Sequence, residues 1–322
     1  MRYRTLGKTG LEVSELGFGA WGIGGTMWIG ADDDESLRAL RLAIDHGVNF
    51  LDTAYGYGDG HSEQLVGAAV RESAETVYVA SKIPPKNMQW PARRGVRAED
   101  AFPADWIVAC TERSLQNLGL EAIDLQQFHV WSDEWVGQVD WLDGIERLKR
   151  DGKIRFFGVS INDHQPENAI QLVESGLVDA VQVIYNVFDQ SPEDVLFPAV
   201  DAADVGVIVR VPFDEGGLTG SVRPDTTFPE GDFRNRYFAG ERKAEVWERV
   251  QAIAGDLDVE VDRLAEIALR FCLSHPAASV VIPGMRSTRN VERNVRAASA
   301  GPLEESQLTT LRRHRWVVDF YR

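Results

Sequence analysis

Four polar residues stand at the ends of apolar runs, and together they have the makings of a proton-transfer site. Asp52 follows Phe50-Leu51, and Tyr57 comes five residues later in the loop Ala54-Tyr55-Gly56-Tyr57-Gly58. Lys82 closes the run Val79-Ala80-Ser81, and His129 follows Gln127-Phe128. A free tyrosine has a pKa near 10, too high to shuttle protons at neutral pH. A neighbouring ammonium favours the phenolate and lowers that value, and a carboxylate beside the ammonium keeps it charged and fixed. A histidine at the same place can hydrogen-bond a carbonyl oxygen, so the set suits reduction of a C=O group. Taken singly, each has a plainer reading: the aspartate as a cap, the histidine as a satisfied structural group, the tyrosine as packing. Lysine is scarce, six residues against 28 arginines, which makes Lys82 more conspicuous.

The elements that must position these residues alternate along the chain. Eight β-branched or aromatic runs read as strands: 14–20, 48–54, 76–82, 122–128, 153–160, 180–186, 205–211 and 279–284. Each of the first seven is followed, sooner or later, by apolar residues three and four apart, such as Leu37, Leu40, Ala43 and Ile44. That cadence implies parallel βαβ units. Several runs are apolar on both faces, as strands covered on both sides should be. Eight such units predict one (β/α)₈ barrel domain over residues 1–322, with a doubly wound sheet as the alternative. Before them, Gly7-Lys8-Thr9-Gly10 lies between two alternating runs and predicts a β-hairpin able to cap the N-terminal end. Residues 84–103 and 212–241 are long for ordinary loops and read as functional. Trp131, Trp135 and Trp141 follow a strand end and are expected on the C-terminal face.

Gly17, Gly19 and Gly22 spell G-x-G-x-x-G, the dinucleotide fingerprint of another fold. That fingerprint needs a helix to begin at the loop. The residues that follow, 23–30, are rich in glycine, and the helix is expected only from Asp33 or Asp34, with the Asp32-Asp33-Asp34 acids at its N-terminus. The glycines therefore read as a pocket wall.

Composition narrows the function. The 34 Lys plus Arg and 50 Asp plus Glu leave a net charge of −16, which argues against nucleic acid and anionic membranes as partners. No apolar run approaches the ~18 residues of a membrane helix, and the N-terminus lacks a signal-peptide core. Two cysteines, Cys110 and Cys272, fit a reducing, cytoplasmic setting. No metal cluster is apparent, since no two histidines have helical ligand spacing and His61 with Glu63 is a weak pair.

In order along the chain, GKTGLEVSELGFG, DTAYGYG, VYVASK, DLQQFH, RFFGVS, AVQVIYN, VGVIVRVPFDEGGLTG and SVVIPGMRSTRNVERN resemble the aldo-keto reductase superfamily over essentially the whole length. The resemblance implies a single (β/α)₈ barrel that binds a nicotinamide cofactor. It carries a catalytic tetrad over as Asp52, Tyr57, Lys82 and His129, with Tyr57 the proton donor and hydride coming from the nicotinamide. Ser160 and Gln182 match positions that contact the carboxamide. Gly217, Leu218 and Gly220 belong to the loop 216–220 that matches the one over the pyrophosphate, and Pro212 and Gly284 are further cofactor contacts that the resemblance implies. Asn294 matches an adenine contact, and Arg286 and Asn290 lie near the 2′-phosphate. Three positions depart from the pattern. Arg210 stands where a tyrosine commonly stacks under the nicotinamide. Ile161-Asn162 follows Ser160 where many members place Asn directly. Asn290 replaces an arginine of some members. The implied cofactor is NADP, with NAD possible.

The leading expectation is an NADPH-dependent reductase of a small aldehyde or ketone. Alternatives are an NAD(P)-dependent sugar or polyol dehydrogenase, a redox-sensing regulatory subunit, and an aldolase with Lys82 as its Schiff base. The substrate pocket is expected from Trp21, Trp28, Tyr55, Trp90, Trp131 and residues of 212–241.

Overall fold

The computed structural model describes residues 1–319; the last three residues of the expected 1–322 domain lie outside the described residues. Ten strands form. The hairpin pairs β1 (Tyr3–Thr5) with β2 (Glu12–Ser14). The eight expected runs become β3 (Phe18–Gly19), β4 (Phe50–Asp52), β5 (Tyr78–Ile83), β6 (Ile123–Phe128), β7 (Ile154–Ser160), β8 (Ala180–Ile184), β9 (Gly206–Arg210) and β10 (Val280–Val281). They make one parallel sheet in chain order from β3 to β10. It closes on itself where Gly17 N–H and Gly19 N–H donate to the Val281 and Pro283 carbonyls, at 2.8 and 3.0 Å. The fold is the (β/α)₈ barrel, with no free sheet edge along this seam.

The closure explains the glycine motif. A Cβ on Gly17 would stand 2.8 Å from Val280 Cγ2, and one on Gly19 would stand 2.6 Å from the Ile282 carbonyl oxygen. These glycines let the first and last strands approach. A short 3₁₀ turn follows at Trp21–Ile23, and the helix Asp33–Asp45 begins where the sequence places it, with Asp32 accepting from Glu35 N–H at 2.8 Å.

The hairpin plugs the N-terminal mouth. Leu6, Leu11 and Val13 share an apolar cluster with Phe50, Ala80, Leu125, Ala180, Ile208 and Val280 of the barrel interior. The hairpin turn lies so close that a Cβ on Gly7 would be 2.3 Å from Gly206 N.

A second apolar layer fills the space between strands and helices. Trp131, Trp135 and Trp141 follow the C-terminal end of β6 as expected, but their side chains belong to this layer rather than to the mouth: each is at most 1% exposed. Trp131 meets Trp135 and Trp141 edge-on at 5.6 and 5.4 Å, and Phe128 stacks on Phe102 at 4.0 Å. Such a pair adds about 0.5–1.5 kcal/mol beyond area burial. Each indole N–H finds an acceptor: the Asp133 carboxylate at 2.9 Å, the Val96 carbonyl at 2.7 Å and the Trp135 carbonyl at 2.9 Å. Satisfied donors and full burial make these three a core, and Trp131 lines no pocket.

The long segments 84–103 and 212–241 both follow strands at their C-terminal ends. The first contains the short helix Ala98–Ala101, and the second the turn Asp214–Thr219 and the helix Arg234–Tyr237.

Candidate active site

Strand alternation carries the polar residues inward. Asp52, Lys82, Gln127, Gln182 and Arg210 each lie two residues beyond an inward apolar residue, namely Phe50, Ala80, Leu125, Ala180 and Ile208. The interior therefore changes from apolar to polar within one layer, toward the C-terminal mouth.

Lys82 is completely buried and spends its three donors within that layer. Nζ lies 2.5 Å from Asp52 Oδ1, 2.9 Å from the Thr53 carbonyl and 3.2 Å from the Tyr57 hydroxyl. Asp52 Oδ2 accepts from Gln182 Nε2 at 2.8 Å and from Gln127 Nε2 at 3.2 Å. Both oxygens of this carboxylate are thus occupied. Tyr57 is set by its loop: Ser62 Oγ meets Thr53 Oγ1 at 2.9 Å and the Ala20 carbonyl at 2.8 Å, and Tyr57 N–H donates to the Ala54 carbonyl at 3.0 Å. His129 faces Tyr57 with ring centroids 5.6 Å apart.

The electrostatics modify the expectation drawn from residue types. Burial pushes the Tyr57 phenol up, and the Lys82 charge pulls it back without overcoming burial. Burial alone would lower Lys82, but the charge of Asp52, the interaction with Tyr57 and the hydrogen bonds to both together outweigh it, and the ammonium is held above its ordinary value. Burial drives His129 well below its ordinary value, with the Lys82 and Arg210 charges acting in the same direction. At neutral pH the cluster therefore holds a phenol O–H, a charged lysine and a neutral imidazole.

Aromatic residues wall the mouth. Trp21 lies 6.3 Å from Tyr57, 5.8 Å from Trp28 and 5.1 Å from Phe233, and Trp90 stands edge-on to His129 at 5.9 Å. Phe233 N–H donates to the Met27 carbonyl at 2.8 Å and Ile29 N–H to Asp232 Oδ2 at 3.2 Å, which joins segment 23–30 to segment 212–241. Tyr55 does not join this wall; its hydroxyl lies beside Asp59, near Cys110 and Arg113 of the helix Ala104–Leu118.

The remaining expected residues lie on the rim between β7 and the seam. Ser160 and Gln182 are buried neighbours in register across β7 and β8. Arg210 Nη2 donates to the Ile161 carbonyl at 2.9 Å and pairs with Asp163. The segment after β9 is strained: Val211, Asp214 and Glu215 have φ of 55°, 49° and 53°, and Gly216 has 100°. Non-glycine residues adopt such angles only when surroundings over-determine them, and such strain clusters at functional sites. Asp214 supplies the anchor, accepting from Tyr237 and from Arg242 Nη2 at 2.9 Å. Pro212, Gly217, Leu218 and Gly220 lie on this segment. Gly284 bridges to Gly19 at the seam. Arg286 Nη1 donates to the Ile29 carbonyl at 3.1 Å and its guanidinium lies 5.8 Å from the Trp28 ring. Asn290 and Asn294 share one face of the helix Thr288–Ser299. Asn294 Nδ2 is buried and without a hydrogen-bond partner. An orphaned buried donor, a strained glycine-containing segment and an arginine are the features a polar, anionic cofactor would engage.

The sequence gives no role to Gln127, Glu35 or Asp163, and offers Glu63 only as a weak partner of His61. Gln127 is two residues before His129, so strand alternation could have found it. Glu63 is buried, accepts from Ser81 Oγ at 2.5 Å and Asn117 Nδ2 at 2.8 Å, and is pushed up by burial. Glu35 and Asp163 carried no signal of their own. His61 pairs with Asp33 rather than Glu63, and among the described residues no group of His, Cys, Asp and Glu could hold a metal.

Comparison with known proteins identifies the family. The model of the Aldo/keto reductase family matches residues 15–315. The aldo-keto reductase YhdN of Bacillus subtilis (strain 168) is 31% identical over 303 residues, covering 91% of this chain and 87% of that one. The holo form of aldo-keto reductase AKR11C1 from Bacillus halodurans superposes with a TM-score of 0.76 at 28% identity, over 98% of this chain and 96% of that chain. The glycerol dehydrogenase AKR11B4 from Gluconobacter oxydans gives 0.75 at 27% identity, over 97% and 94%. A match across nearly the whole barrel, added to the buried polar layer at its mouth, makes this chain a member of the aldo/keto reductase family of nicotinamide-dependent oxidoreductases.

Proposed function

We propose that the protein reduces the carbonyl group of a small aldehyde or ketone to an alcohol with NADPH, with Tyr57 as proton donor. The observation that carries the reading is the Lys82 ammonium, which touches both the Asp52 carboxylate and the Tyr57 hydroxyl. The bound nicotinamide supplies the hydride. Tyr57 then donates its proton to the carbonyl oxygen. Lys82 stabilises the phenolate left behind, and Asp52 keeps Lys82 charged and in place. His129, neutral and at the mouth, offers an N–H to the same oxygen. Trp21, Trp90 and Phe233 limit access of water and favour an apolar or aromatic group on the carbonyl.

Ser160, Gln182, Arg210, Pro212, Gly217, Leu218, Gly220, Gly284, Arg286, Asn290 and Asn294 would hold the cofactor. Arg286 is the cation offered to the 2′-phosphate, since a phosphate favours a guanidinium. A second reading, NAD with a polyol as substrate, draws on Glu35. Its Oε1 accepts from Thr288 N–H at 2.8 Å and Thr288 Oγ1 at 2.9 Å, placing a carboxylate at the N-terminus of the helix that carries Asn290. A similar structure is that of a glycerol dehydrogenase. A cytoplasmic setting accords with two buried free thiols, Cys110 and Cys272. No described helix is long and apolar enough to cross a membrane, and the charge of −16 disfavours nucleic acid.

The deciding experiment is a titration of tryptophan fluorescence with NADPH and with NADH, followed by a panel of carbonyls. NADPH-selective quenching that weakens on Arg286→Ala supports the reading. Preference for NADH transfers it to the dehydrogenase. Turnover that survives Tyr57→Phe removes Tyr57 as proton donor.

A further inference from the structure

Asn162 is the residue the family pattern leaves without a place. It stands one position beyond the residue that would follow Ser160 directly, and its side chain turns elsewhere. Asn162 is 4% exposed. Its Oδ1 accepts from Ala92 N–H at 3.1 Å, its Nδ2 donates to the Ala92 carbonyl at 3.1 Å, and Nδ2 also reaches Gln165 Oε1 at 3.2 Å. One side-chain amide thus pairs with both backbone groups of a residue 70 positions earlier, as one rung of a strand ladder would.

The position of that rung matters. Ala92 follows Trp90-Pro91, and Trp90 is the ring edge-on to His129 at 5.9 Å. Trp90 is 44% exposed, so burial does little to hold it there. Other ties hold this segment at its start, where Trp106 Nε1 donates to the Pro84 carbonyl (2.9 Å) and Lys86 N–H to the Ala101 carbonyl (2.8 Å), and farther along, at Gly95 N–H to Glu134 Oε2 (2.7 Å) and at the Val96 carbonyl from Trp135 Nε1 (2.7 Å); the pair at Ala92 is the tie to another segment nearest Trp90 in the chain. The turn that carries Asn162 is gripped from its opposite side, where Arg210 bonds the Ile161 carbonyl and pairs with Asp163.

We propose that Asn162 is a specificity-determining positioning residue: it latches segment 84–97 so that Trp90 forms the outer wall over His129, and it makes no contact with the cofactor. The specificity role rests on the function proposed above; the latch does not.

Trypsin reads the latch without reference to activity, because Arg93 and Arg94 are exposed on the latched segment. Asn162→Ala should raise cleavage at these two arginines several-fold. It should raise KM for an aromatic aldehyde several-fold, with kcat and the Kd for NADPH within twofold, and Trp90→Ala should reproduce the KM change. Unchanged cleavage together with weaker NADPH binding would overturn the proposal and return Asn162 to the cofactor. Should Asn162→Ala fail to fold, Asn162→Asp keeps the acceptor for Ala92 N–H and turns an oxygen toward the Ala92 carbonyl; cleavage no faster than in the parent protein overturns the latch. If the parent protein reduces no carbonyl, the functional reading fails, while the cleavage comparison still decides the latch.

Discussion

Lys82 and Tyr57 share a hydrogen bond of 3.2 Å whose donor is a buried ammonium fixed by Asp52. Burial holds the Tyr57 phenol above its ordinary value, and Lys82 pulls it down. The hydroxyl is therefore protonated throughout the neutral range. With Tyr57 as the proposed proton donor, carbonyl reduction draws on the phenol and should be flat from about pH 6 to about pH 9, below the unperturbed tyrosine value. Under the same proposal alcohol oxidation draws on the phenolate and should rise with pH across that range. Lys82→Met removes the downward pull, so its oxidative limb should move to higher pH. Tyr57→Phe should cost about 10²–10⁴ in kcat in both directions. The measurement is kcat against pH in both directions, and an oxidative rate that falls with pH excludes Tyr57 as the base.

Arg210 is bound to Asp163 and to the Ile161 carbonyl rather than standing free beneath the site. In the position proposed for it, its charge faces the nicotinamide ring. A guanidinium stacks well on a planar ring, but it repels the cationic oxidised form more than the neutral reduced form. Arg210→Tyr should therefore tighten NADP⁺ relative to NADPH. The check is the ratio of the two dissociation constants in each protein. Identical ratios mean the charge does not reach the ring.

Much of this was legible in the chain because barrel strands impose a simple rule. Runs apolar on both faces gave the eight strands, and the polar residue at the end of a run marked the mouth: Asp52, Lys82 and His129 are all of this kind. Trp131 misled because the sequence places it just past a strand end and cannot show which way the chain turns. Its ring folds back under Phe128, and Asp133 satisfies its N–H. Tyr55 misled for a related reason, since a residue two positions from Tyr57 in an irregular loop need not share its face. The sign of the Tyr57 shift was also beyond the sequence. Lys82 acts as expected, but the depth of burial that outweighs it is a property of the packed barrel. Glu35, Asn162 and Asp163 are matched with partners between 47 and 253 positions away, and no local pattern encodes such pairs.

His129 should make the protein sensitive to mild acid. Burial, reinforced by the Lys82 and Arg210 charges, lowers its folded-state pKa well below the ordinary 6.5. Above about pH 6.5 the imidazole is neutral in both folded and unfolded chains and contributes nothing. Below that, the unfolded chain binds a proton that the folded chain refuses, so stability falls as pH drops toward the folded pKa. The slope reaches about 1.4 kcal/mol per pH unit for one proton. His129→Gln should remove about one proton from the slope of unfolding free energy against pH between about 6 and 5. Parallel slopes for the two proteins would place the acid sensitivity elsewhere.

Leu6 tests whether the plug and the site are separate devices. Its side chain is fully buried beneath the barrel interior, and Gly206 leaves room for it: a Cβ there would stand 2.6 Å from Leu6 Cδ1. Leu6→Ala opens a cavity bounded by strands and by the hairpin turn, which Lys8 N–H fastens to the Asp204 carbonyl at 2.6 Å. Collapse around it is restricted by those attachments, so the loss should fall within about 2–5 kcal/mol. Asp52 and Lys82 lie one inward layer above Phe50 and Ala80, toward the opposite mouth, and their hydrogen bonds involve no hairpin residue. Denaturant unfolding should therefore show a lower midpoint with an unchanged m-value, while kcat/KM at 25 °C stays within twofold. A fall in kcat/KM that parallels the loss of stability would show instead that the hairpin shapes the catalytic layer through the strands it closes.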